Sequence, residues 1–558
     1  MITLDAHKKE GLKVSWPWIP DANTRYSYIN KVKRTGGFVW NASAKAWIAE
    51  GPEVILDMDR IDLWQHISTI TPEATARVAA FRTNLELILN AKEEEHEGAY
   101  GYQKTGTKSL VLQKRGILAD DMGLGKSKQA LDACAQVDAK NILIVAPKSL
   151  TWNWYYEIEK WYPKWQTYAV ISDDKRKRQA QWESLDDDRF IAIVNYEKLR
   201  LGDWPSDIHW DVIIFDEAHR LKNPQTATYK QAKKLRSEYL WAITGTPMEI
   251  RIEELYGIMT LLRPGLFGGW MRFREQHLMM DAWGNVLGPK NLELLKERIS
   301  PWMTRRRKED VLTQLPPKIY NNVFVELSPS ELKEYNKIKS EFYSWLAEND
   351  RNINEANTLT QLLRLQQYTS SPDLLANEDD EVIRGSKYEV LKEVLQDWDG
   401  KVMIFSRFAQ MILALLEWLQ EDFKNDMHPE ALIAGGIDGK VRVERVEKFN
   451  NDQLGRFLLS TDAGAYGLNV TGANLIIHYD QLWNPGKMWQ REDRLHRIGQ
   501  AQVVNVLTLI TEGTVDEGMA KVLDKRREIF KDIVDGAEDV AIQRLGAGNL
   551  KKLVEGKL

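Results

Sequence analysis

Short runs of consecutive apolar residues, bounded by glycine or polar positions, recur along most of the chain. The first set is Gly116–Ala119, Asn141–Ala146, Phe190–Val194, Val212–Phe215 and Leu240–Ile243. Because the runs are continuous and do not alternate with polar residues, both faces of each predicted strand are buried. Amphipathic helical stretches separate them, and strands of this kind alternating with helices predict a parallel α/β sheet covered on both sides. The pattern returns at Lys401–Phe405, Ala431–Ala434, Phe457–Ser460, Leu475–His478 and Val503–Leu507, predicting a second lobe of the same class. Residues 1–95 differ. They hold an aromatic hairpin, with strands around Gly36–Asn41 and Lys45–Ala49, and a helix from Pro72 to about Glu95. The organisation expected is therefore a small accessory module (1–95), lobe one (96–262), a mainly helical and polar insertion (263–385) and lobe two (386–558).

Composition narrows the class without naming a function. The 558 residues are 43% hydrophobic and 28% charged, a globular balance with material for more than one core. No run approaches the roughly 18 apolar residues of a membrane span, and the start lacks the apolar stretch of a secretory signal, so a cytoplasmic (or nuclear) protein is expected. The single cysteine, Cys134, cannot form an internal disulfide and reads as a small packing residue. The formal net charge of −5 excludes an overall basic coat, though not local basic grooves. Tryptophan is abundant, 21 against 14 Phe; core packing and a base-stacking platform are both open readings.

Candidate chemistry begins after the first strand. Asp120-Asp121-Met122-Gly123-Leu124-Gly125-Lys126-Ser127 leads straight into a predicted helix. Glycines let backbone N–H groups close on phosphate, the helix N-terminus adds positive potential, Lys126 reaches the outer phosphates and the Ser127 hydroxyl can ligate Mg²⁺. A strict phosphate loop has glycine at 120, where this chain has Asp. Ninety residues beyond Lys126, the strand Val212–Phe215 runs into Asp216-Glu217-Ala218-His219. Carboxylates at the end of a buried strand suit a metal-bound nucleotide: Asp216 for the metal, Glu217 to orient and deprotonate water. Farther on, Arg494 and Arg497 stand three apart, which on a helix puts them on one face, as arginine fingers or as part of a salt-bridged surface.

These motifs, with Thr244-Gly245-Thr246-Pro247 and Gln490–Gln500 ending His-Arg-Ile-Gly-Gln, resemble in order and spacing the Snf2 family of superfamily 2 helicase-like ATPases. The resemblance covers about residues 100–525, and Asp at 120 is ordinary in that family. It implies two tandem RecA-like parallel-sheet lobes, a helical insertion between them and, here, a small α+β module in front. It also implies an ATP- and Mg²⁺-dependent, DNA-stimulated ATPase that moves along duplex or branched DNA as a monomer. On that likeness ATP is held by Gln103, Asp121, Met122, Gly123, Leu124, Gly125, Lys126, Ser127 and Gly467, with Ser127 and Asp216 on the metal. Glu217, Lys126, Arg494 and Arg497 are catalytic, and His219, Thr244, Thr246 and Gln490 couple nucleotide to motion. Lys148, Ser149, Tyr196, Ser406, Arg407, Ser460, Thr461 and Trp483 are expected on DNA.

Other details depart from relatives or fit more than one reading. Met248-Glu249-Ile250 follows the Thr-Gly-Thr-Pro motif where relatives carry Gln-Asn after the apolar residue, and Ala465 replaces a common glycine. Arg305–Lys308 resembles the family's junction before lobe two, with acid pairing or phosphate contact as its use. Residues 10–60 faintly resemble the HARP module of annealing helicases. A strand-separating helicase and a nucleotide-gated DNA-binding scaffold without turnover are the competing functional readings.

Overall fold

The continuous apolar runs become the strands of two parallel sheets. The computed structural model describes the chain except residues 1, 8–10, 17–20, 22–26, 31, 33–37, 50–53, 56–57, 59–62, 90–98, 186–188, 203, 205–207, 246–251, 281–285, 313–314, 349–354, 376–383, 463–466, 484, 524–546 and 556–558. It divides into two units, Met1–Val311 and Leu312–Leu558. The boundary falls inside the expected insertion, so that stretch is shared between the units and does not stand apart from them.

Unit one begins with a small sheet of β1 (Thr3–His7), β2 (Gly11–Ser15), β3 (Val39–Asn41), β4 (Ala46–Ala49) and β5 (Thr69–Ile70), in the order β3-β4-β2-β1-β5. The β3–β4 hairpin pairs Val39 with Ile48 and Asn41 with Ala46, and Asn41 Oδ1 accepts from Ala44 N inside the turn. The helix Pro72–Leu89 follows. Its Asn84 amide donates to Leu112 O at 3.0 Å and its Phe81 ring lies 6.0 Å from Trp302.

The main sheet of unit one contains β6 (Arg115–Leu118), β7 (Asn141–Ala146), β8 (Gln166–Ala169), β9 (Phe190–Asn195), β10 (Trp210–Asp216) and β11 (Ser237–Ile243). After a separate hairpin of β12 (Leu278–Met280) and β13 (Val286–Pro289), β14 (Met303–Thr304) joins the edge. The order is β14-β6-β11-β10-β7-β9-β8, with every pairing parallel. The two-sided burial read from the sequence is realised literally. Leu143, Val145, Ile213 and Phe215 enter one core, which runs on into Leu4 and Leu12 of the small sheet; Ile142, Ile144, Val212 and Ile214 enter the other. Cys134 lies in that second core, where loss of hydration raises its thiol pKa far above the ordinary range and leaves it unreactive.

Unit two holds β15 (Lys318–Val325), β16 (Val402–Phe405), β17 (Leu432–Ile433), β18 (Phe457–Ser460), β19 (Leu475–His478) and β20 (Val504–Thr511), in the order β15-β20-β19-β16-β18-β17, again all parallel. The described regular structure of 263–385 is mostly helical, and β15 is a strand within it that the sequence did not announce. Lys-Ile-Tyr-Asn-Asn-Val-Phe-Val is an edge strand with Ile319, Tyr320 and Phe324 exposed, so it lacks the continuous apolar run that marked the central strands. Helices Pro329–Glu348 and Glu355–Ser370 follow β15 in that stretch of unit two. Among the described residues, no helix is long and apolar enough to cross a membrane.

Candidate nucleotide site

β6 delivers the chain to the C-terminal edge of the main sheet, where loop 119–125 turns into the helix Lys126–Gln136. Gly123 (φ 83°) and Gly125 (φ 72°) take left-handed conformations that a side chain would strain. A Cβ on Gly125 would also stand 2.5 Å from Gln103 Nε2, so the loop and Gln103 fit only around a glycine. Gln103 is buried; its amide donates to Leu124 O at 3.2 Å and its carbonyl accepts from Tyr100 N at 3.3 Å. Lys126 Nζ folds inward to Asp120 O (2.7 Å) and Asp121 O (3.1 Å). Loss of hydration lowers its pKa, against the pull of Glu217, Asp120, Asp121 and Asp216. Asp121, Met122, Gly123 and Ser127 are half-buried, and Leu124 is buried.

β10 ends beside this loop with the acidic turn. Asp216 accepts Trp154 Nε1–H on Oδ2 (2.7 Å) and Glu217 N–H on Oδ1 (2.9 Å). Burial, reinforced by the neighbouring Glu217 charge, pushes its pKa up to about 6. Glu217 sits at φ 48°, ψ 52°, a left-handed position that costs a non-glycine residue about 1–3 kcal/mol and is a frequent companion of function. His219 Nδ1 lies 3.3 Å from Glu217 Oε2. Thr244, fully buried, donates its backbone N–H to Leu118 O at 3.2 Å. At Gly245 a Cβ would approach Met122 Cγ to 2.7 Å and Lys126 Nζ to 3.5 Å, which places Gly245 against the phosphate loop. Thr246 and residues 248–250 lie outside the described residues.

The residues expected on DNA divide. Lys148 is exposed and Ser149 half-buried just past β7. Tyr196, assigned above to DNA, is instead buried and donates its hydroxyl to Asp216 O at 2.7 Å, where it props the acidic turn. In unit two, Ser406 and Ser460 are completely buried; Ser406 donates to Asp480 and Ser460 to Ile433 O. Arg407 donates through its backbone to Asp480 Oδ1 (2.8 Å) and through its guanidinium to Gln366 Oε1 (3.0 Å). Thr461 is buried and Trp483 half-buried against the cluster of Tyr335 and Phe342.

Arg494 and Arg497 do not share a helix. The helix Pro485–Glu492 stops at Glu492, and a series of turns carries both arginines. Glu492, the last residue of the helix, is fully buried and accepts from Lys318 Nζ and Tyr320 OH, each at 2.7 Å. Burial alone would raise the Glu492 pKa, but Lys318 and His478 hold it far below the ordinary range. Arg494 Nε donates to Gln490 O at 3.1 Å, Arg497 Nη1 to Leu468 O at 3.3 Å, and Gln500 Nε2 to Ala473 O at 2.9 Å. Gln490 is buried, Gly467 takes φ 77°, and Ala465 lies outside the described residues.

Sequence reasoning missed three partners: Trp154 on Asp216, Gln129 under the loop and Arg306 on Asp120. The Arg306 guanidinium bonds both Asp120 oxygens, at 3.0 and 2.7 Å, which decides the acid-paired reading of that arginine. Only its place in Arg305–Lys308 pointed to it.

A glycine-bounded phosphate loop opening a helix, with an acidic turn closing β10 of the same parallel sheet, defines a P-loop α/β protein of the nucleotide-binding class. Residues 47–374 match the SNF2-related domain and residues 386–499 the helicase conserved C-terminal domain. The chain belongs to the SNF2-related family. It is 29% identical over 512 residues to a Mycoplasma genitalium protein described as an uncharacterized ATP-dependent helicase, MG018, covering 89% of this chain and 48% of that one. It is 30% identical to the yeast ISWI chromatin-remodeling complex ATPase ISW1, covering 76% and 39%. Among solved structures, the Sulfolobus solfataricus SWI2/SNF2 ATPase core in complex with dsDNA is 30% identical, with a TM-score of 0.39 over 84% of this chain and 99% of that one. The chain spans about half or less of the length of the curated relatives it matches.

Proposed function

We propose that this chain binds and hydrolyses ATP and couples the cycle to movement along duplex or branched DNA. The observation that carries the nucleotide reading is the joint placement of the phosphate loop and the Asp216–Glu217 turn at one end of the unit-one sheet, with Lys126 under the pull of both carboxylates. Family membership supports the same reading, as does the description of MG018 as an ATP-dependent helicase.

Each residue then has a task. Gln103 recognises the base, and the loop amides with Lys126 hold the phosphates, the ammonium leaving its two carbonyl acceptors for the ligand. Glu217 orients and deprotonates water, with His219 at 3.3 Å to steer it. Arg494 and Arg497 supply positive charge to the transition state. Mg²⁺ fits this donor set: two neighbouring carboxylates, one with its pKa raised by burial and like charge, gain from a cation. Ser127 and Asp216 would hold it, and it would neutralise phosphate charge. Thr244, Thr246 and Gln490 carry the nucleotide state onward.

The DNA reading assigns direct phosphate contact to Lys148 and Ser149, sequence-tolerant and salt-sensitive as backbone contacts are. Ser406, Ser460 and Tyr196, with buried side chains, act by shaping loops. Residues 1–95 are assigned to forked or branched DNA, and the protein to the cytoplasm or nucleus as a monomer. The test is ATP hydrolysis without nucleic acid and with single-stranded, duplex and forked DNA and duplex RNA. Stimulation by duplex or fork upholds the proposal; preference for single strands favours a strand-separating helicase; no turnover on any substrate overturns it.

A further inference from the structure

Asp120, the residue that departs from the strict phosphate loop, is fully buried and bound from three directions. Arg306 Nε and Nη2 donate to its two carboxylate oxygens at 3.0 and 2.7 Å, the Arg306 backbone N–H adds a bond at 3.1 Å, and Gln129 Nε2 one more at 3.1 Å. The guanidinium also bonds Gln129 Oε1 and Tyr102 O and lies 5.4 Å from the Tyr102 ring. Gly106 packs tightly against this network: a Cβ there would stand 2.4 Å from Arg306 Nη2 and 1.8 Å from Gln129 Oε1.

The backbone follows the same line. Ala119 N donates to Thr304 O (2.7 Å), Asp121 N to Arg306 O (3.0 Å) and Lys308 N to Asp121 Oδ2 (3.1 Å). Residues 304–308 are thus laced along loop 119–121, and five residues beyond Arg306 the chain crosses into unit two. Asp120 faces both ways. Its carbonyl accepts the Lys126 ammonium, while its carboxylate holds the arginine of the outgoing segment.

We propose that Arg306 is a positioning residue for nucleotide binding, setting the phosphate loop through Asp120 and tying its state to the segment that leaves unit one. The inference rests on the nucleotide reading above. When Lys126 turns to a phosphate, the Asp120 carbonyl loses its donor, and the peptide that follows it moves against the bonds to 304–308. Linkage then makes the effect reciprocal: nucleotide tightens the segment, and a loosened segment weakens nucleotide binding by the same factor.

The test uses the full chain with Mg²⁺ and a non-hydrolysable ATP analogue. Affinity is measured for wild type, Arg306→Ala, Arg306→Lys and the double variant Asp120→Asn/Arg306→Met, which leaves no buried charge unpaired. Amide hydrogen exchange is followed at residues 306 and 308, with and without analogue. Expected are at least tenfold weaker binding for Arg306→Ala and for the double variant, an intermediate loss for Arg306→Lys, and at least tenfold slower wild-type exchange on binding. A folded Arg306→Ala or double variant binding within twofold of wild type overturns the inference. So does wild-type exchange that ignores the analogue while binding is intact. A wild type that binds no nucleotide overturns instead the site reading beneath it.

Discussion

Replacing Asp216 by Asn is expected to stabilise unit one while abolishing its use of Mg²⁺-ATP. In the folded chain the carboxyl pKa rises from 3.8 to about 6, first through burial and then through Glu217. Two units at ~1.4 kcal/mol each make the ionised form about 3 kcal/mol less favourable folded than unfolded. Asn removes the charge, but its single oxygen cannot accept from both Trp154 Nε1 and Glu217 N, a loss of about 1–2 kcal/mol. The net gain is therefore about 1–2 kcal/mol at pH 8, a Tm rise of about 1.5–3 °C for a unit of this size. A carboxylate raised above its unfolded value imposes a penalty that is full above pH 6 and fades as pH falls toward 4. The advantage of Asn should accordingly shrink over that window and end as a deficit, leaving only the lost hydrogen bond. Calorimetry of the full chain in chelator, without nucleotide, at pH 8, 6 and 4.5 reads both effects. A variant less stable than wild type at pH 8, or a gain independent of pH, would refute the reasoning.

Three further outcomes follow from the same contacts. The kcat/KM for ATP should fall on an acid limb near pH 6 as Asp216 takes up its proton in the free enzyme, and titration of steady-state rates from pH 5 to 8 measures it. Gly106→Ala should cost about 1–3 kcal/mol by overpacking against Gln129 and Arg306, visible in urea unfolding of unit one. Lys318→Met should destabilise unit two by about 3 kcal/mol, because Glu492 is left buried without its ammonium partner; its melting transition should drop while nucleotide affinity of unit one holds.

What the sequence made legible follows burial. The central strands β6, β7, β9, β10, β16, β18 and β19 carry apolar side chains on both faces, and such runs are visible without a structure. β8 and β15 lie at sheet edges with exposed or half-buried residues, and their polar positions hid them. The phosphate loop and the acidic turn could be read because local backbone geometry demands glycine and strand-end carboxylates. The partners of those groups could not: Arg306 is 186 residues from Asp120 and Trp154 is 62 from Asp216, separations at which no spacing rule operates. The Lys318 partner of Glu492 was hidden for the same reason, being 174 residues away.

The central claim, that the loop and the acidic turn form one ATP-hydrolysing site driven by DNA, is tested most directly by comparing wild type with Glu217→Gln on duplex DNA. Hydrolysis and retained ATP are measured in the same samples. The account predicts DNA-stimulated turnover in the wild type, and in the variant a loss of turnover with ATP still bound and uncleaved. Full hydrolysis by Glu217→Gln would contradict it.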